Sequence, residues 1–95
     1  MGRILALDYG KKRTGIAVTD PLKIIANGLI TIETDKLFDF LKEYAAKESI
    51  EKIIIGNPLN LDGSPTDATP AVHHCMRRLK NTFPAKPIIP VDERY

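Results

Sequence analysis

Two acidic residues stand where short apolar runs end, and both could do chemistry. Asp8 closes the run in "RILALD", and Glu93 follows the run in "PIIPVDERY". Three consecutive cations, Lys11, Lys12 and Arg13, come soon after Asp8. Carboxylate ligands without His or thiol partners favour Mg²⁺ or Mn²⁺ over Zn²⁺. These residue types therefore predict a divalent metal acting on a phosphodiester, with the cations attracting its phosphates.

The surrounding patterns predict the elements that position these residues. Short β-rich runs predict strands over 3–8, 14–20 and 27–33, and three consecutive isoleucines within 50–56 predict a strand buried on both faces. Helical spacing predicts a helix that Thr34 or Asp35 caps, and a second helix that begins at Thr69 and Pro70. A last strand is expected over 88–92, and a long loop precedes the second helix.

The order βββαβαβ predicts an α/β fold with a mixed five-stranded sheet. Right-handed crossovers give the strand order 3-2-1-4-5, with helices flanking the sheet. Asp8 and Glu93 then lie at the carboxyl ends of two parallel strands that are two spacings, or about 10 Å, apart. Gly56 ends the strand between them and leaves room for an ion. Two carboxylates are few for a two-metal site.

Simpler interpretations of the same residues stay open. Asp8 could cap the hairpin turn, Glu93 and Arg94 could form an exposed ion pair, and the three cations could be a solvated turn. His73 and His74 point about 100° apart on a helix and cannot share one ion, so we expect a structural or surface role. Cys75 is expected to be a small buried hydrophobic residue.

Composition limits the classes of protein that need to be considered. The chain has 95 residues, 43% of them hydrophobic and 27% charged, with a formal net charge of +2, which predicts one soluble globular domain over 1–95. Its apolar runs are too short for a signal peptide or a membrane span, so no membrane partner and a cytoplasmic location are expected. The spacing of Gly10 and Gly15 imitates a phosphate-binding P-loop, but Ile16 and Ala17 follow where Lys and Ser or Thr are required.

Three motifs carry a family resemblance along the whole chain. The stretches "ALDYGKKRTGIAVTD", "IIIGNPLNLDGS" and "VDERY" closely resemble, in order and spacing, the N-terminal signatures of the YqgF/RuvX family. Its members are RNase H-like proteins related to the Holliday-junction resolvase RuvC, and they are assigned as nucleases that mature the precursor of small-subunit rRNA. The resemblance implies an RNase H-like fold and hydrolysis of structured nucleic acid with Mg²⁺ or Mn²⁺ in a bacterial cytoplasm.

The resemblance also implies roles for particular residues. Asp8 and Glu93 match the catalytic metal ligands, and precursor rRNA, cut at the 5′ end of 16S rRNA, is preferred to branched DNA as the substrate. The expected substrate-binding residues are Lys11, Lys12, Arg13, Asn57 and Arg94.

The chain departs from the family pattern at its C-terminus. Tyr95 stands where Leu is usual, and the chain ends before the helix that carries the family's third acid. Asp62 and Asp67, in the long loop, are not proposed as replacements. We therefore expect the 95-residue form to bind metal weakly and to cleave poorly or not at all. The absent helix should leave an apolar sheet face exposed, which favours dimerisation.

Three rival functions remain. The first is a Holliday-junction resolvase-like DNA nuclease, and the second is a nucleic-acid-binding module without catalysis, whose binding would be indifferent to metal chelation. The third is a sugar-kinase or actin-like ATPase, because those domains also open with an Asp-x-Gly hairpin. That class needs a second domain of comparable size, which 95 residues cannot contain.

Overall fold

The computed structural model describes residues 2–19, 26–59 and 69–94. In these ranges the chain forms five strands, two α-helices and one 3₁₀ turn, as the sequence predicts for an α/β fold. Asp62 and Asp67, in the long loop before the second helix, lie outside the described ranges. The elements are β1 (Arg3–Asp8), β2 (Arg13–Thr19), β3 (Ala26–Glu33), η1 (Thr34–Lys36), α1 (Leu37–Lys47), β4 (Ile50–Leu59), α2 (Thr69–Thr82) and β5 (Ile88–Arg94).

The five strands form one mixed sheet in the order β3-β2-β1-β4-β5, which confirms the predicted topology. β2 pairs antiparallel with both β1 and β3, and β4 pairs parallel with both β1 and β5. Parallel neighbours put the carboxyl ends of β1, β4 and β5 at one edge of the sheet. We call this edge the carboxyl rim.

Both helices pack on the same face of the sheet. Leu5 and Leu7 of β1 alternate with less buried residues and point into the same core as Leu41 of α1 and Leu79 of α2. The guanidinium carbon of Arg78 lies 4.0 Å from the centre of the Phe38 ring and joins α2 to α1. The fully or largely buried side chains of this core are Leu5, Leu7, Ile16, Val18, Leu37, Phe38, Leu41, Ile50, Ile53, Ile55, Val72, Cys75 and Leu79.

The opposite face of the sheet is less covered in the described part of the chain. Ile54 is only half-buried between the buried Ile53 and Ile55, so burial on both faces of β4 is incomplete. Ile89 and Val91 of β5, on the same face, are 37% and 45% exposed. An exposed apolar surface is therefore present on this face, whereas dimerisation through it stays a prediction.

Two local predictions need correction. Neither Thr34 nor Asp35 caps α1, since Lys36 occupies the N-cap position and no side-chain cap hydrogen bond forms there. β4 also runs three residues beyond the predicted end at Gly56, because its pairing with β5 continues to Leu59. Beyond Asp8, β1 has ended, so β4 has a neighbour on one side only and can accommodate a proline, Pro58.

Neither described helix combines the length and the apolar character needed to cross a bilayer.

Candidate active site at the carboxyl rim

Asp8 is the last residue of β1 and lies at the carboxyl rim with an exposed side chain. Its backbone pairs with Gly15 of β2, and Leu7 beside it pairs with Ile55 of β4. Because side chains alternate along a strand, Asp8 points to the face opposite the buried Leu7. Its carboxylate makes no hydrogen bond or ion pair with any residue that the structure describes. Nothing in the described ranges therefore supports the alternative in which Asp8 caps the hairpin.

The turn after Asp8 is instead held by Thr34. The Thr34 hydroxyl donates to the Gly10 carbonyl oxygen at 2.6 Å, and the Thr34 backbone N–H donates to the Lys12 carbonyl oxygen at 2.9 Å. Since the single Thr34 hydroxyl proton goes to Gly10, the buried Thr14 hydroxyl must donate to Thr34 Oγ1, which lies 2.8 Å away. We call these three hydrogen bonds the threonine clamp.

Gly10 is required inside this turn for steric reasons. A Cβ atom added at this position would collide with the carbonyl oxygen of Arg13. That contact is with backbone, which cannot move aside as a flexible side chain can. The turn therefore keeps its shape only with glycine here.

The three cations of the turn, Lys11, Lys12 and Arg13, are exposed and line an open cavity of about 400 Å³. We call them the basic turn. Glu33 and Asp35 line the same cavity, so two carboxylates offset part of the positive charge. The basic turn lies beside Asp8 in the chain, as predicted, and its cations are accessible to a phosphate in solution.

Glu93 lies on β5, where its backbone pairs with Pro58 of β4. The two preceding pairs between β4 and β5 are Asn57 with Asp92 and Gly56 with Val91. Gly56 follows Ile55, the partner of Leu7, and so lies beside Asp8 in the sheet. The strand ends of Asp8 and Glu93 are thus at the same rim, with β4 between them, as the topology predicts. The side chains of Glu93 and Arg94 are outside the described part of the structure, so the meeting of the two carboxylates and the role of Arg94 stay predictions.

Mg²⁺ and Mn²⁺ bind to oxygen ligands, which are mainly carboxylates, carbonyl groups and water. Within residues 2–19, 26–59 and 69–94, no group of three or more His, Cys, Asp or Glu side chains is placed to hold a metal. The Asp8 carboxylate is exposed, has no described partner and lies next to Gly56, which has no side chain to fill the space. It therefore fits one protein ligand of such an ion. The described residues alone do not surround an ion with protein ligands. Mg²⁺ does not need a complete set of protein ligands, because it keeps several of its waters.

Asn57, a predicted substrate-binding residue, lies on β4 at the rim. Its Nδ2 donates a hydrogen bond to Asp92 Oδ1 at 3.0 Å. Its Oδ1 is buried and finds no hydrogen-bond donor among the described residues. The sequence placed Asn57 in a loop, and the structure places it in a paired strand.

Three further side chains, those of His73, His74 and Cys75, lie where the sequence predicts and are not part of the candidate site. His73 and His74 are both exposed on α2, in agreement with a surface role. Cys75 is buried, and burial raises the pKa of its thiol to about 11 while nearby Arg78 lowers it less. A thiol with such a pKa stays protonated near neutral pH and is a poor nucleophile. Sequence reasoning missed the threonine clamp and the environment of Asn57.

The sheet order and the parallel rim define the class of this protein as RNase H-like. A family model described as "RuvX: Holliday junction resolvase" matches residues 2–95. The chain therefore belongs to the RuvX family, which confirms the resemblance found in its motifs.

Relatives in several bacteria agree with this membership. The chain is 50% identical over 95 residues to a protein of Flavobacterium johnsoniae, and 47% and 46% identical to proteins of Flavobacterium psychrophilum and Porphyromonas gingivalis. Each alignment covers all of this chain and 69% of the relative, and each relative is named "Putative pre-16S rRNA nuclease". The family and its relatives indicate a nuclease role for the full-length proteins.

Solved structures share the fold at low sequence identity. A propionate kinase from Francisella tularensis aligns with a TM-score of 0.62 and 18% identity, over 97% of this chain and 37% of the kinase. YeaZ from Pseudomonas aeruginosa aligns with a TM-score of 0.59 and 14% identity, over 98% of this chain and 44% of YeaZ. The chain spans less than half of each of these proteins. At these identities the likeness shows the fold alone.

Proposed function

We propose that this chain forms the metal-binding and substrate-binding core of an endonuclease that processes the precursor of 16S rRNA in the bacterial cytoplasm. The observation that carries the proposal is the position of Asp8. It is an exposed carboxylate at the end of β1, it has no partner in the described ranges, and the strand that bears Glu93 ends at the same rim. The names of the relatives supply the substrate class.

In this proposal Asp8 and Glu93 would hold Mg²⁺ or Mn²⁺. Such an ion, when bound, activates water and stabilises the leaving oxygen of a phosphodiester. In the hydrolysis, an oxygen of water bonds to phosphorus, the bond from phosphorus to the leaving sugar oxygen breaks, and that oxygen takes up a proton.

The chain's own cations would place the substrate for this reaction. Lys11, Lys12 and Arg13 are exposed beside Asp8 and would contact phosphates on either side of the cleaved bond, together with Arg94. The threonine clamp would hold the backbone of the basic turn in a fixed position relative to Asp8. Asn57, at the same rim, would be a further contact of the substrate.

Binding of Mn²⁺ tests this proposal without depending on turnover. Mn²⁺ added to ¹⁵N-labelled protein should broaden the amide signals near Asp8 and Val91, because its unpaired electrons relax nearby nuclei. Asp8→Asn should weaken this binding by about tenfold or more, since the substitution removes a charged ligand. Asp39→Asn is the matched control, because Asp39 is an exposed carboxylate on α1, and it should leave the broadening unchanged.

The outcomes separate the candidate functions. Broadening that Asp8→Asn does not reduce would contradict the metal site. Binding of RNA that is equal in EDTA and in Mg²⁺, and equal for wild type and Asp8→Asn, would favour the non-catalytic module. Cleavage of a precursor 16S rRNA fragment compared with cleavage of a four-way DNA junction then decides between the RNA and DNA nucleases.

A further inference from the structure

The sheet ends in an edge strand on each side, β3 on one and β5 on the other. An edge strand carries backbone N–H and C=O groups that no neighbouring strand of the sheet uses, and these groups can pair with a strand of another chain. Whether they can do so depends on which residues direct their backbone groups outward, and the two edges differ in this respect.

The β5 edge is interrupted by a proline. The Ile53 N–H donates to the Pro87 carbonyl oxygen at 3.0 Å, which fixes the phase of the parallel ladder between β4 and β5. Ile89 therefore bonds to β4, whereas Pro90 and Asp92 direct their backbone groups to the outside. Pro90 has no N–H to donate and Asp92 adds a charge, so this edge is protected against pairing.

The β3 edge has no such interruption. The backbone hydrogen bond of the threonine clamp, from Thr34 to Lys12, fixes the phase of the antiparallel ladder between β2 and β3, so Ile32 exchanges hydrogen bonds with β2. Thr31 and Glu33 alternate with Ile32 and direct their N–H and C=O groups away from β2, to the outside. β3 contains neither proline nor lysine, the residues that commonly protect an edge.

The β3 edge is also accessible. Among the described elements only β2 pairs with β3, Thr31 is exposed, and Ile30 is 44% exposed. Residues 20–25 connect the two members of one pair of the β2–β3 ladder, so they reach at most about 12 Å from that pair, whereas Thr31 lies about 17 Å along β3 from it. Residues 60–68 connect β4 to α2, which packs on β4 and β5 at the other side of the sheet.

A second copy of β3 fits this edge in an antiparallel arrangement, with Thr31 opposite the partner's Thr31. Positions 29, 31 and 33 then supply the outward groups of both copies, and they form about six backbone hydrogen bonds. Ile30 lies opposite the partner's Ile32 on the helix-covered side of the sheet, where the pairing covers the exposed part of Ile30. Glu33 lies opposite position 29 and not opposite the partner's Glu33, so no like charges face each other. The edge is therefore complementary to itself.

We propose that the chain forms a symmetric dimer in which the β3 edges of two copies pair antiparallel and join the two five-stranded sheets into one continuous sheet. This dimer does not use the exposed apolar face that carries Ile89 and Val91, and it does not depend on the proposed function. Residues 29–33 of each copy make a small interface, so we expect a dissociation constant of roughly 10 µM to 1 mM.

Sedimentation velocity over about 10 µM to 1 mM protein measures this association. Thr31→Pro should weaken it by about tenfold or more, because proline removes the two hydrogen bonds of the central pair. The substitution takes no hydrogen bond from the β2 ladder, since the Thr31 N–H points outward, as position 90 does on β5.

A charge at the centre of the interface is the second variant. Thr31→Lys should weaken association by about twofold to fivefold, because it places two like charges opposite each other, and added salt should reverse part of the loss. Ala46→Lys is the matched control, because Ala46 is exposed on α1, and Thr31→Val is the control for loss of the hydroxyl. Both controls should associate like the wild type.

Amide hydrogen exchange of the ¹⁵N-labelled wild type locates the interface. When the concentration rises through the dissociation constant, exchange at Thr31 and Glu33 should slow by about threefold or more, because only the dimer gives these N–H groups an acceptor. Exchange at Ile30 and Ile32 should not change, because their N–H groups already bond to β2. This measurement uses the wild type alone, so it remains decisive even if Thr31→Pro folds poorly.

Three results would overturn the inference. These are a wild type that stays monomeric up to about 1 mM, exchange at Thr31 and Glu33 that does not depend on concentration, and a dimer that Val91→Thr dissociates but Thr31→Pro does not. The last result would assign the interface to the exposed apolar face instead of the β3 edge. None of them affects the Mn²⁺ and cleavage experiments, so this inference and the proposed function can fail separately.

Discussion

Replacing Thr34 with valine is the sharpest test of how this fold holds its basic turn. The substitution keeps the shape of the side chain but removes the hydroxyl that donates to the Gly10 carbonyl oxygen at 2.6 Å and accepts from Thr14 at 2.8 Å. Thr14 is fully buried, so its hydroxyl loses its described partner and cannot reach water instead.

The magnitude follows from these two losses. The lost hydrogen bond to Gly10 costs about 1 kcal/mol, and the unsatisfied Thr14 hydroxyl costs a further 1 to 3 kcal/mol or so. We expect Thr34→Val to lower the free energy of unfolding by about 2 to 4 kcal/mol. Small domains have only about 5 to 15 kcal/mol in total, so the effect is readily measured.

A double-mutant cycle shows whether the cost has the proposed origin. When Thr14→Val is combined with Thr34→Val, the buried hydroxyl is no longer present to be left unsatisfied. The double variant should therefore lose about 1 to 3 kcal/mol less than the sum of the two single variants. Thr31→Val is the matched control, because Thr31 is exposed on β3, and it should change stability by no more than about 0.5 kcal/mol.

Urea unfolding followed by far-UV circular dichroism is the suitable assay, since the chain has no tryptophan. All variants should keep the wild-type dependence of the free energy on urea, which would show that the same surface unfolds. If the effects of Thr14→Val and Thr34→Val add within about 0.5 kcal/mol, the two hydroxyls are not coupled and the threonine clamp is wrong.

Two further predictions concern single residues, Gly10 in the turn and Cys75 in the core. Gly10→Ala should destabilise the protein by about 1 kcal/mol or more and weaken RNA binding by the basic turn, because the added Cβ meets the Arg13 carbonyl oxygen; unchanged urea midpoint and binding would contradict this. Folding raises the pKa of the Cys75 thiol from 9.0 to about 11, so between pH 9 and pH 11 the folded state keeps a proton that the unfolded state loses. The free energy of unfolding should therefore fall by about 2 to 3 kcal/mol as the pH rises through this range. Urea midpoints of wild type and Cys75→Ala measured from pH 8 to 11 should diverge over this range, and parallel curves would show that the thiol is not responsible.

Local patterns were sufficient where the decisive signal lay within one element. β1 has the predicted bounds because its apolar alternation stops at Asp8 and a glycine-containing turn follows. The sheet order followed from the handedness of the crossovers, which does not depend on side-chain detail. The placement of the Asp8 and Glu93 backbones at one rim is a consequence of that order.

Contacts between distant residues were beyond the sequence. The sequence predicts Thr34 or Asp35 as a helix cap because Thr and Asp are preferred residue types at the N-cap. The Thr34 hydroxyl instead reaches Gly10, which is 24 residues away in sequence, and only the alignment of β1, β2 and β3 brings the two together. In the same way, the turn-forming residues Asn57 and Pro58 indicated a loop, but pairing with β5 keeps them in a strand.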